Sequence, residues 1–169
     1  EEVSRGLGDV YKRQYETSAI SGKRCQALGG AKNHALILPD ADIDYTTDQL
    51  ISAAYGSSGQ RCMALSVAVV FSDIKDEFIK DLERKVQKLK FGLDDLHSNS
   101  FGPLVSKEHL ESVKNYIEMS KGEGARVLID GRDFLKRKNS NSGYFLGPTI
   151  IDNVSFNMKS YQNEIFGPV

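Results

Sequence analysis

Residues 34–72 read HALILPDADIDYTTDQLISAAYGSSGQRCMALSVAVVFS, and this stretch decides the fold class. His34 to Leu38 is a short apolar run closed by Pro39, which reads as a buried-type strand. Asp40 or Asp42 then caps a helix whose apolar residues Ile43, Leu50, Ile51, Ala54 and Tyr55 keep helical spacing up to Gly56. GSSGQ turns the chain, and the valine-rich LSVAVVFS reads as a second buried strand. Strand, helix and strand in so short a span predict a parallel pair joined by a helical crossover.

The pattern continues downstream. DIKDEFIKDLERKVQKLKFG sets Phe78, Leu82, Val86 and Leu89 along one helical face, and Ser106 caps a further helix with Leu110, Val113 and Ile117 as its stripe. ARVLIDG follows as a strand, RDFLKRKNSNSG as a polar loop or irregular hairpin connection, and YFLGPTIIDNV as a strand with a Gly-Pro interruption near its start. Upstream, KRCQALGG from Lys23 reads as another short strand, whereas residues 1–14 show no sustained period and predict no packed element. Together these segments predict an α/β domain with an open, mostly parallel sheet and flanking helices. The last residues, EIFGPV, stop on an apolar residue just after a Gly-Pro turn; domains seldom finish there, so the chain is expected to be an internal piece of a longer protein.

Composition narrows the function classes. With 22 basic and 23 acidic side chains among 169 residues, the net charge of -1 offers no electrostatic attraction to nucleic acid or an anionic membrane. Small-molecule or protein partners are expected. The run Ala64–Phe71 is far short of the roughly 20 apolar residues that a membrane span needs, and no apolar segment follows a basic start as in a secretory leader. Two cysteines, Cys25 and Cys62, are too few for a disulfide framework, so a reducing compartment is expected. His34, His97 and His109 stand apart and predict surface or turn positions rather than metal ligands.

Cys62 is the candidate for chemistry. A thiol becomes nucleophilic when its pKa falls from about 8.5, which requires positive charge or oriented backbone N–H groups nearby. Arg61 adjoins it, and Gly56 and Gly59 allow a turn tight enough to aim amides at a reacting oxygen. Taken alone, these features leave two readings open, a reactive nucleophile or a small residue filling a core. Cys25, flanked only by Lys23 and Arg24, reads as structural, and Gly29 and Gly30 lack the context of a dinucleotide fingerprint.

Three separated motifs resolve the ambiguity. YGSSGQRCMA, GYFLGPTI and NEIFGPV occur in the order found in the aldehyde dehydrogenase superfamily, and residues 15–169 resemble that family. With QALGGAKNH, they are most similar to its CoA-acylating methylmalonate-semialdehyde and malonate-semialdehyde branch. The resemblance implies NAD-dependent oxidation in which Cys62 attacks the aldehyde and carries the acyl group as a thioester. It makes Glu164 the carboxylate on the nicotinamide ribose and Phe166 the aromatic beside the nicotinamide. It makes Arg61 the guanidinium that clamps the substrate carboxylate. One oxyanion donor is the Cys62 amide; the second, a side-chain amide, belongs to a segment upstream of residue 1.

The chain departs from hydrolytic relatives at Ala27, where they carry a glutamate base. Water, with a pKa near 15.7, needs such a base, while a thiol titrating near 8.5 is already partly thiolate, so coenzyme A is the expected acyl acceptor. By the same resemblance, residues 15–30 finish the NAD-binding domain and 31–169 form an incomplete catalytic domain. Residues 1–14 are a tail without family likeness, and no metal is used. The parent enzyme is expected to be a homotetramer, cytoplasmic if bacterial and in the mitochondrial matrix if eukaryotic, with this piece inactive alone. Two alternatives stand beside this reading: a hydrolytic aldehyde dehydrogenase, or a non-catalytic protein that retains the fold.

Overall fold

The computed structural model describes residues 8–90, 102–135 and 143–169. The chain divides into two compact units, Glu1–Ala31 and Lys32–Val169.

The first unit contains one helix, α1 (Gly8–Ile20), followed by irregular chain. Although no apolar stripe predicts it, residues 12–20 contain good helix formers and no glycine or proline, which suffices locally. Residues 12–17 are all exposed, as the missing stripe implies. The expected strand from Lys23 is not formed; residues 23–32 lie outside any ladder, and Cys25 there is half-buried.

In the second unit, β1 (Asn33–Ile37) pairs parallel with β2 (Leu65–Val70) through the crossover helix α2 (Ile43–Tyr55). Asp42 starts α2 because its carboxylate accepts the Tyr45 N–H at 3.0 Å, and Leu50 and Tyr55 turn inward. Helix α3 (Ser72–Val86) buries the predicted stripe of Phe78, Leu82 and Val86 against that layer, each contributing roughly 1.5–3 kcal/mol of apolar burial. Helices α2 and α3 are also joined where Lys85 meets Asp44 and Asp48 at 2.9 and 2.7 Å, and where Thr47 Oγ1 donates to Asp81 at 2.6 Å.

Helix α4 (Lys107–Gly122), capped by Ser106 Oγ accepting from the His109 N–H, carries Leu110, Val113 and Ile117 into a second core with Leu104, Leu146 and Ile165. Strand β3 (Arg126–Ile129) follows, then α5 (Gly131–Leu135), β4 (Ile150–Asp152) and α6 (Lys159–Gln162). Strands β3 and β4 pair antiparallel, so the chain doubles back between them instead of crossing over. Part of the polar loop expected at 132–143 is thus the short helix α5, and its residues 136–142 lie outside the described residues.

Candidate active site

The turn that carries Cys62 is built under backbone strain. Gly56 N–H closes α2 on the Ser52 carbonyl, after which Ser57 (φ 53°), Ser58 (φ 57°) and Gly59 (φ 69°) are consecutive left-handed residues. For the two serines this conformation costs roughly 1–2 kcal/mol each. Side chains hold it in place. Ser58 Oγ donates to the Gly102 carbonyl, and Gln60 accepts the Val105 N–H at 3.0 Å while its amide donates to the Pro103 carbonyl at 3.3 Å. Asn33 Nδ2 donates to the carbonyls of Cys62 and Ala64 at 2.9 and 2.8 Å, beside a register irregularity at the start of β1. Cys62 is exposed, and no acceptor among the described residues takes its amide N–H.

The three motifs that lie far apart in sequence meet at one place. The Gly59 Cα faces the Gly167 backbone so closely that a Cβ would stand 2.2 Å from the Gly167 carbonyl oxygen. Thr149 N–H donates to the Pro168 carbonyl at 2.8 Å, and the Thr149 carbonyl accepts the Tyr55 hydroxyl at 3.0 Å. Tyr55 is buried, and that burial pushes its phenol well above the ordinary range, so the hydroxyl stays a donor. Thr149 Oγ1 also accepts the Gly131 N–H at 3.0 Å, and Phe145, Leu146 and Pro148 are buried around it. Thus Phe145–Ile150 of GYFLGPTI are buried and brace the turn of Cys62 against the 164–168 segment.

That segment alternates. Ile165, Gly167 and Pro168 are buried, whereas Glu164 and Phe166 are half-buried. Phe166 is left-handed at φ 55°, its carbonyl accepting from His109 Nε2 at 2.6 Å, with the two rings tilted 6.3 Å apart. On the other side, Lys32 Nζ donates to the carbonyls of Ser160 and Asn163 at 2.6 and 3.0 Å. Burial lowers its ammonium to about 8, against the opposing pull of the Glu164 carboxylate. No donor among the described residues occupies that carboxylate, so both oxygens can accept from a diol. An acceptor carboxylate with an apolar ring two residues on is a pair that could hold the ribose diol and the nicotinamide of NAD.

Arg61 is exposed, and its Nη2 donates to the Ser52 carbonyl at 2.9 Å, leaving most of its five N–H donors uncommitted there. The guanidinium lies across Gly56, where a Cβ would come within 2.1 Å of Nη2. Ala27 belongs to the first unit and Cys62 to the second.

Sequence reading missed Asn33, Lys32 and His109. Lys32 and Asn33 come one residue after the paired glycines Gly29 and Gly30, but nothing local shows that their partners are at 62, 64, 160 and 163. His34, expected at the surface, is exposed yet bonded through Nε2 to Tyr161 Oη at 2.8 Å, and His97 lies outside the described residues. Among the described residues no three His, Cys, Asp or Glu side chains gather as metal ligands, and no helix is long and apolar enough to cross a membrane.

Known proteins resemble this chain along nearly its whole length. The family model described as "Aldehyde dehydrogenase family" matches residues 5–169, taking in residues 5–14 that the sequence reading left outside the resemblance. A malonate-semialdehyde dehydrogenase of Oceanobacillus iheyensis is 46% identical over 166 residues, covering 97% of this chain and 33% of its own length. The crystal structure of a methylmalonate-semialdehyde dehydrogenase from Oceanimonas doudoroffii superposes with a TM-score of 0.87 at 48% identity, over 96% of this chain and 33% of that one. A Sinorhizobium meliloti structure described as a methylmalonate-semialdehyde dehydrogenase complexed with NAD gives 0.86 at 40%, over 95% and 33%. The chain therefore spans about a third of the length of the relatives it matches. With the family match running through almost every residue and the three motifs converging on one site, this chain belongs to the aldehyde dehydrogenase family.

Proposed function

We propose that the chain carries the nucleophile-bearing part of an NAD-dependent, CoA-acylating dehydrogenase of malonate or methylmalonate semialdehyde. The observation that carries this reading is the exposed Cys62 on a strained turn braced against the segment bearing Glu164 and Phe166. Retaining such strain away from a site would lower stability with no return.

In this mechanism the Cys62 thiolate attacks the aldehyde carbon, and the Cys62 amide N–H meets the developing oxyanion. Arg61 turns from the Ser52 carbonyl to pair with the substrate carboxylate, where a bidentate contact replaces a single neutral one. Glu164 would hold NAD by accepting from its ribose hydroxyls, and Phe166 would give the nicotinamide an apolar neighbour. When bound, NAD supplies the two-electron acceptor that turns the Cys62 thiohemiacetal into a thioester. The coenzyme A thiolate then displaces the Cys62 sulfur, taking the acyl group and returning a free thiolate, because Ala27 supplies no base for water. Residues 15–30 would finish the cofactor domain, and the parent enzyme would assemble as a homotetramer in the cytoplasm or mitochondrial matrix.

The test uses the full-length enzyme containing this segment, with NAD and malonate semialdehyde. NADH formation that needs Cys62 and yields an acyl-CoA is the expected result. Formation of free acid without CoA would establish the hydrolytic alternative, and no NADH with Cys62 intact would establish the non-catalytic one.

A further inference from the structure

Lys32 lies just before β1 and reaches across 128 and 131 residues of sequence to the carbonyls of Ser160 and Asn163. His34, two residues on, reaches the same short helix: its Nδ1 faces the Lys32 carbonyl at 2.7 Å, its Nε2 faces Tyr161 Oη, and the rings meet edge-on at 5.4 Å. The entry to β1 therefore grips α6 and the residue before Glu164 at three points. Beyond Glu164, Ile165 is seated in the second core and His109 holds the Phe166 carbonyl. The residues on either side of Glu164 are thus each held by a side chain from a distant part of the chain, Asn163 by Lys32 and Phe166 by His109.

We propose that Lys32 is a positioning residue, which fixes the Asn163 carbonyl and so sets the direction of the Glu164 carboxylate toward the cofactor ribose. This rests on the reading of Glu164 as the ribose-binding carboxylate. Two features separate Lys32 from a merely structural cation. Its half-buried ammonium spends two donors on main-chain carbonyls 128 and 131 residues away, and the partial desolvation lowers it to about 8. Its charge also lies in the field of the one carboxylate whose direction matters, as the pull of Glu164 records. Ser160 Oγ, buried with no partner among the described residues, shows that this corner is not organised simply to satisfy polar groups.

Two measurements test the proposal. In the chain as it stands, Lys32→Met removes two charge-assisted bonds, so amides 161–166 should exchange hydrogen for deuterium about tenfold faster while α2 is unaffected. Lys32→Arg, which keeps a charged donor, should restore most of the protection. Unchanged exchange at 161–166 in Lys32→Met overturns the proposal. If that variant fails to fold, Lys32→Gln carries the same comparison.

In the full-length enzyme the cycle of Lys32→Met and Glu164→Gln is read through KM for NAD and the deuterium isotope effect on kcat with deuterated aldehyde. Positioning through Glu164 predicts that Lys32→Met alone raises KM for NAD about tenfold and enlarges the isotope effect, yet adds little in the Glu164→Gln background. If the two variants multiply, Lys32 does not act through Glu164 and the proposal fails. If Glu164→Gln changes neither quantity, the ribose reading itself fails, and the exchange result still decides whether Lys32 orders the segment.

Discussion

Replacing Gly59 by alanine tests the junction on which the site depends. The new Cβ would stand 2.2 Å from the Gly167 carbonyl oxygen, 2.6 Å from the Gly167 carbonyl carbon and 3.2 Å from the Ala54 carbonyl oxygen. All three are backbone atoms, so no rotamer change relieves them, and the two turns must separate by about 1 Å to reach ordinary contact. Overpacking of this kind costs about 1–3 kcal/mol, and an alanine at φ 69° adds about 1–2 kcal/mol. The sum is about 2–5 kcal/mol, a large share of a domain stability of about 5–15 kcal/mol. Gly124→Ala is the internal control: it too has positive φ, at 96°, but nothing lies within 4 Å of its Cβ, so only the conformational part applies. Urea denaturation of both variants gives the comparison, with the midpoint falling at constant slope. A loss in Gly59→Ala no larger than in Gly124→Ala would refute the close approach of Gly59 to Gly167. In the full-length enzyme the same 1 Å displacement between Cys62 and Glu164 should lower kcat/KM on the order of 100-fold.

Other outcomes follow from the same contacts. Tyr55→Phe leaves the Thr149 carbonyl buried without its donor, and denaturation should show a loss of about 1–3 kcal/mol. Asp130 accepts from Arg132 at 2.7 and 2.9 Å and from Lys121 at 3.0 Å, led by the Arg132 hydrogen bonds, which hold its carboxyl well below the usual range. A depressed folded-state pKa means that its stabilisation is complete above the unfolded value near 3.9 and is lost as pH falls below it. Asp130→Asn should therefore destabilise at neutral pH by about 2 kcal/mol and flatten the denaturation midpoint measured between pH 5 and pH 3, those limits bracketing that reference value. Arg61→Lys in the full-length enzyme should raise KM for the semialdehyde about tenfold or more while leaving KM for NAD unchanged, because a lysine cannot make the two parallel bonds. Ala27→Glu should introduce CoA-independent release of free acid, measured as NADH formed without CoA.

Much of the scaffold was legible because its causes are local. The Asp42 and Ser106 caps, the α3 stripe of Phe78, Leu82 and Val86, and the valine-rich β2 each declare themselves within a turn or two of chain. The turn at Cys62 was legible in the same way from its glycines, while the candidacy of Cys62 as nucleophile needed the separated motifs. Two readings failed for the opposite reason. A strand needs a partner, which KRCQALGG lacks among the described residues, and α1 forms from propensity without the periodicity that burial would impose. What the sequence by itself determined is most of the elements of Lys32–Val169 and the candidate nucleophile, since helices, caps and turns are decided by neighbours in the chain. Only the tertiary structure decided that Gly59 meets Gly167, that Thr149 ties Tyr55 to Pro168, and that Lys32 and His109 flank Glu164 and Phe166. Apart from the bond of Thr149 to Pro168, those contacts join residues 57 to 131 positions apart, and a hydrogen bond to a distant carbonyl leaves no periodic trace in the sequence of either partner.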